Sequence, residues 1–231
     1  MESGSSEPAS KLPSGRHDLP RDVVVRSQRT RILQAIADAT AERGYTGTTV
    51  AQICDRASVS SATFYELFHD KEDCFLAAVR ETIAEATTVV SEAYTRKKGE
   101  IDLLSDAILA LLELFAARPS SARLIFLECR SSTPRALDLY LSGARVVISL
   151  IGRGWGSQTS AGVSPAAAGQ VVLGGAESII RNEIAEGRSE QLPAVLPEIV
   201  YCAVLPFRGQ DEALARAKVA EQLVPLGAGA K

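Results

Sequence analysis

The chain has 231 residues and a formal net charge of only -3, so any affinity for nucleic acid rests on where charge is placed and not on an overall basic character. Hydrophobic residues make up 46% and charged residues 23%, which supports a buried core and excludes wholesale disorder. Cys54, Cys74, Cys129 and Cys202 form no Cys-x-x-Cys pair, and His17 and His69 lie far apart, so the sequence implies no metal site, no cofactor and four reduced thiols.

In chain order, residues 1–20 are rich in Ser, Gly and Pro and read as a disordered or extended arm. From Arg26 onward the apolar residues recur at helical spacing, and no sustained period-two alternation occurs, so the expected fold class is all-α. A first helix is expected over about Ser27–Arg43, with Ile32, Leu33, Ile36, Ala37 and Ala39 facing inward and Gly44 ending it in the left-handed region. Thr49 and Gln52 form a capping box for a second helix whose apolar face is Val50, Ile53, Cys54 and Ala57. After a tight turn at Ser58-Val59, Ser60 is an N-cap for a short third helix over 61–68. Asp70 caps a long fourth helix from Lys71 to about Lys97. Further helices are expected at about 101–117, 120–130, 134–152, 165–186, 193–206 and 211–224, punctuated by Gly and Pro, with 152–162 the main flexible loop.

Two short helices joined by a tight turn and braced by a preceding helix make a helix-turn-helix. The physical use of that arrangement is to offer a narrow rod to the major groove, where each base pair shows its own pattern of donors and acceptors. Short side chains at the rod's leading end let the backbone come close, and here they are Ser60, Ser61, Ala62 and Thr63.

These residues, together with Gly44, Thr48-Thr49-Val50, Ile53, Ala57, Val59, Phe64-Tyr65, Phe68 and Lys71-Glu72, resemble the DNA-binding pattern of the TetR (tetracycline-repressor) family of bacterial regulators over about 50 residues. The resemblance implies that Thr49, with Thr48 beside it, binds a DNA phosphate. It implies that Ser60, Ser61, Ala62 and Thr63 face bases or the adjacent backbone, that Tyr65 donates its hydroxyl to a phosphate, and that Lys71 neutralises another. His69, Arg21 and Arg26 complete the candidate DNA-contact set. The chain departs from the family where Ser61 replaces a frequent basic residue, where Leu67 replaces a frequent His, and at the acidic Glu66. Between Lys11 and Arg31, six basic residues (Lys11, Arg16, Arg21, Arg26, Arg29 and Arg31) stand against Asp18 and Asp22, which points to an arm that reaches the minor groove or the backbone, or to a solvated tail.

The domain reading is therefore an arm at 1–20, a DNA-binding domain at 21–70 and a helical effector-binding and dimerisation domain at 71–231. In the body, Tyr94, Phe115, Phe126 and Tyr140 are aromatic candidates for a ligand pocket, with Arg130 and Glu177 as polar anchors, although most such residues in a bundle are ordinary core. The helix at 165–186 carries Val172, Gly175, Ala176, Ile179 and Ile180, and the next carries Val195, Ile199, Val200 and Ala203. Apolar around much of its circumference, the second is either interior or shared with another subunit. The resemblance implies the latter, a homodimer placing two recognition helices about 34–36 Å apart on an operator.

The function implied is a dimeric regulator, a repressor by the commoner family outcome, binding a double-stranded pseudo-palindromic operator under the control of a small apolar or amphipathic effector. A helical ligand-binding or scaffold protein with a non-functional head is the alternative. No Gly-x-Ser-x-Gly, phosphate loop or dinucleotide fingerprint points to an enzyme. The aliphatic runs fall far short of the ~20 residues that span a bilayer, and a cytoplasmic, nucleoid-associated protein is expected.

Overall fold

The computed structural model describes residues 20–95, 100–154, 159–160 and 162–224, and no strand occurs among them. The arm at 1–20, with Lys11, Arg16 and His17, therefore lies outside the described residues except for Pro20, as does Trp155; so do the side chains of Tyr94 and Ile101. The chain divides into two compact units, one ending at Ala78 and one beginning at Val79.

In the first unit, α1 (Arg21–Gly47) carries Ile32, Leu33, Ala35, Ile36, Ala37 and Ala39 buried on its inner face. Gly44, at φ 72 and ψ 163, breaks the helical path, so the regular helix ends at Arg43 as expected and a further turn follows. Only glycine holds that backbone without strain. At the other end α1 begins earlier than expected, because Asp22 and Arg26 pair one turn apart at 2.8 Å and continue the helix outward. α2 (Val50–Ala57) starts at the predicted capping box: the Gln52 backbone N–H donates to Thr49 Oγ1 and the Thr49 N–H donates to Gln52 Oε1.

α2 closes through Ser58, at φ 52 and ψ 51. Ser58 N–H donates to Asp55 O and Val59 N–H to Cys54 O, a Schellman-type ending that turns the chain sharply. α3 (Ser61–Leu67) starts at Ser60, whose Oγ accepts the Thr63 N–H at 3.0 Å. α4 (Lys71–Thr95) starts at Asp70, which accepts the Asp73 N–H at 2.8 Å. Its first turns bury Cys74, Phe75, Leu76, Ala77 and Ala78, which is why the first unit closes after Ala78 rather than at Asp70.

The second unit contains the rest of α4, α5 (Glu100–Ala117), α6 (Pro119–Arg123), a π-helical turn (Leu124–Glu128), α7 (Cys129–Ser131), α8 (Pro134–Gly154), α9 (Pro165–Ala185), a 3-10 segment (Ser189–Val195), α10 (Leu196–Arg208) and α11 (Gln210–Glu221). The expected helix at 120–130 is thus interrupted by one wide turn, in which Cys129 N–H reaches back to Leu124 O. Ser164 caps α9 by accepting the Ala167 N–H at 3.2 Å, with Pro165 in the first turn. α10 lies at the centre of this unit. It packs on α5, α9 and α11, and its Leu196, Ile199, Val200, Ala203, Val204 and Phe207 are all buried. No helix among the described residues is long and apolar enough to cross a membrane.

Candidate nucleic-acid interface

α3 divides cleanly into an inner and an outer face. Phe64 is fully buried and Phe68, just past the helix, is nearly so; their rings lie 5.6 Å apart and anchor the rod. Ser60, Ser61, Ala62, Tyr65 and Glu66 are exposed, and Thr63 is half-buried. Tyr65 keeps 58% of its surface open while its ring packs edge-on against Phe64 at 5.3 Å. Thr49 is exposed at the start of α2, beside the positive end of that helix. The exposed residues of α3 thus make a polar edge backed by aromatic packing.

Residues 32–78 match the sequence profile of the family described as bacterial regulatory proteins, tetR family. These residues therefore carry the DNA-binding pattern of the TetR family. It is 25% identical over 138 residues to the HTH-type transcriptional regulator RutR of Escherichia coli K12, a match covering 58% of this chain and 65% of RutR. It is 38% identical over 66 residues to the HTH-type transcriptional repressor AcnR of Corynebacterium glutamicum, covering 29% of this chain and 35% of AcnR. The fold is shared with the transcriptional regulator FadR of Bacillus subtilis, solved in complex with stearoyl-CoA, at a TM-score of 0.66 and 21% identity, covering 76% of this chain and 97% of FadR. The fold class read from the sequence, an all-α chain with a helix-turn-helix head, agrees with these TetR-type relatives.

Within this head, several residues expected to touch DNA also bond within the protein. Thr48 is buried, and its hydroxyl donates to Gly44 O at 2.9 Å, which secures the irregular end of α1. Lys71 sends its ammonium to the carbonyls of Tyr45 and Thr48, at 2.8 Å each, and lies 4.2 Å from the centre of the Tyr45 ring. Burial lowers its pKa, and two of its three protons are already spent. The expected phosphate ligand is thus first a clamp on the end of α1.

The basic stretch is corrected in the same way. Arg21 and Arg26 stand on α1 and not on an extended arm, with Arg26 paired to Asp22. Arg29 sits over the Phe68 ring at 5.8 Å. Arg31 donates to the carbonyl of Ala57 at 2.7 Å and ties α1 to the turn before α3. Arg56, which sequence reading did not single out, makes a two-pronged bond to Glu42 at 2.6 and 2.7 Å between α2 and α1. His69 is exposed; its ring nitrogen lies 3.1 Å from the Asp70 carboxylate.

The body contains an almost wholly apolar cavity of about 150 Å³. Of the six residues singled out as ligand candidates, Phe115, Phe126, Tyr140 and Glu177 line it. Phe115 and Phe126 pack edge-on at 5.0 Å. Arg130 is not in the wall; it lies behind, 3.5 Å from Glu177 and 5.4 Å from the centre of the Tyr140 ring. The sequence reading missed the contribution of α4, whose Ile83, Ala86, Thr87 and Val90 form one wall at helical spacing. It also missed Gly143 on α8, where an added Cβ would lie 3.3 Å from Ile83 Cγ2. The periodicity of Ile83, Ala86 and Val90 was the available signal.

Much of the expected dimer set is covered by its own chain. Val172, Ile180, Ile199, Val200 and Ala203 are buried inside their own subunit, because α10 is the central helix and its neighbours cover it on several sides. Ala176 lines the cavity. Gly175, Ile179 and Val195 retain partial exposure. A Cβ at Gly174 or Gly175 would meet open space within the chain.

Proposed function

We propose that the protein is a dimeric transcriptional repressor that binds a short pseudo-palindromic operator and leaves it when a small apolar or amphipathic effector enters the body. The observation that carries this reading is α3, with Phe64 and Phe68 locked inside while Ser60, Ser61, Ala62 and Tyr65 face outward. Thr49 and Tyr65 would bind phosphates and set the register, while Ser61, Ala62 and Thr63 would meet base edges. Repression takes support from the likeness of 66 residues of the chain to AcnR, and the effector from FadR, whose solved structure holds stearoyl-CoA.

A homodimer fits the outer stripe of α9. Val171 is 75% exposed, and Gly174, Gly175 and Ser178 follow it at helical spacing, a surface smooth enough for a symmetry mate. The switch would run through α4, which begins at Lys71 in the head and whose later turns line the cavity. An effector shifts the equilibrium only by its differential affinity for the two states, so it must prefer the state with the cavity filled. Such a protein would work in the cytoplasm at the nucleoid.

The exposed Glu66, on a helix without any Lys or Arg, favours one other reading, a helical ligand-binding protein with an inert head. Selection of genomic fragments on the purified protein separates the two. A repressor enriches a short inverted repeat upstream of a gene whose transcript rises when the protein is removed. Recovery of no shared sequence sinks the repressor reading, and a transcript that falls reverses its sign.

A further inference from the structure

Each polar side chain among the described residues of the cavity wall is already engaged by the protein. Thr87 Oγ1 donates to the Ile83 carbonyl at 2.8 Å, a bond within its own helix. Thr82 has a partner as well. Glu177 pairs with Arg130 at 3.5 Å, and its side chain is only 16% exposed. The Tyr140 phenol lies in the field of both, with the Arg130 guanidinium 5.4 Å from its ring centre. Burial, with the Glu177 carboxylate adding to it, pushes the phenol above its ordinary pKa, so it stays neutral. What the wall offers to the space is hydrocarbon, supplied chiefly by Ile83, Leu111, Phe115, Phe126, Val172 and Ile180.

Such a wall selects by what it lacks. A hydroxyl carried into it gives up its water and finds no bond in return, and a carboxylate or ammonium group loses far more. Water is itself a poor occupant, because a buried water needs about two to four polar partners. A hydrocarbon has no such bonds to lose, and it gains dispersion contacts with the side chains around it. Volume sets its size. A cavity of about 150 Å³ lined by Leu, Ile and Phe stays dry and admits benzene, and the space here is about 150 Å³.

Resting on the reading of the cavity as the effector site, we propose that the effector is a compact hydrocarbon without a polar head, about the size of one substituted ring, held by packing alone between α4, α5, α8, α9 and α10.

The test uses the full chain and four probes built on one ring: toluene, benzyl alcohol, benzoate and benzylamine, titrated in a sealed calorimeter at pH 7. Toluene is expected to bind at least about thirtyfold tighter than benzyl alcohol, with benzoate and benzylamine weaker still. Tyr140→Phe should leave toluene affinity within about threefold of the parent, since no head reaches for that hydroxyl. Ala176→Phe, which fills the space, should abolish toluene binding; Ala86→Leu fills it from α4 if the first variant fails to fold. A smaller gap between toluene and benzyl alcohol, a larger loss in Tyr140→Phe, or toluene binding that survives the filled cavity overturns the proposal. A polar probe that binds tightest and is lost in the filled variant overturns it while leaving the effector site in place. Silence from all four overturns both.

Discussion

Ser58 occupies the left-handed region between α2 and α3, where a side chain costs roughly 1–2 kcal/mol relative to glycine. Ser58→Gly is therefore expected to raise the unfolding free energy by about 0.5–1 kcal/mol in a urea titration; a loss would mean that the hydroxyl has a bonding role. Asp70 is exposed, yet its pKa is held below the usual carboxylate value by the Asp73 backbone N–H, with His69 beside it. A depressed folded pKa stabilises fully above the unfolded value near 4 and loses that effect as the pH falls through the folded value. Asp70→Ala should cost about 1 kcal/mol at neutral pH, and the gap to the parent should close in melts below about pH 4. Lys71 distinguishes clamp from phosphate ligand. Lys71→Met should destabilise the protein by about 1–2 kcal/mol and leave the slope of log affinity against log salt unchanged. A direct phosphate contact would instead reduce that slope by about one.

At the scale of elements, α10 carries the body. Ile199 is buried on that central helix, and Ile199→Ala is expected to cost about 2–5 kcal/mol by urea denaturation, whereas an interface residue would alter assembly and leave subunit stability nearly unchanged. The residues of α10 also mark where sequence reasoning runs out. A helix apolar around its circumference has the same pattern whether covered by its own chain or by a partner, so Ile199, Val200 and Ala203 could not be placed from spacing alone. The caps were legible because they are local: Thr49 with Gln52, Ser60 with Thr63 and Asp70 with Asp73 each complete a bond within one helical turn. Lys71 and Arg31 were not, since their partners lie 26 residues or nearly so along the chain. The wide turn at Leu124–Glu128 has no sequence marker, and the cavity joins α4, α5, α8, α9 and α10, a meeting that only tertiary packing decides.

At the scale of the whole molecule, the chain separates its tasks between two units, a head that carries the polar rod and a body that carries the apolar cavity. The tie between them in sequence is α4, so under the proposed function a ligand-dependent change in its later turns would be the economical route from effector to operator. The sequence made the head's identity plain because its signature is compact and contiguous, whereas the body matched only in the number and order of its helices. The central claim is that α3 reads bases and that two copies do so together. Ser61 is exposed on its first turn and tests both halves at once. Sites selected from random DNA by the parent and by Ser61→Arg should be inverted repeats differing at one position in each half, with the variant preferring guanine there, because an arginine fork bonds guanine O6 and N7. Unchanged sites, or a change in one half only, would contradict the account.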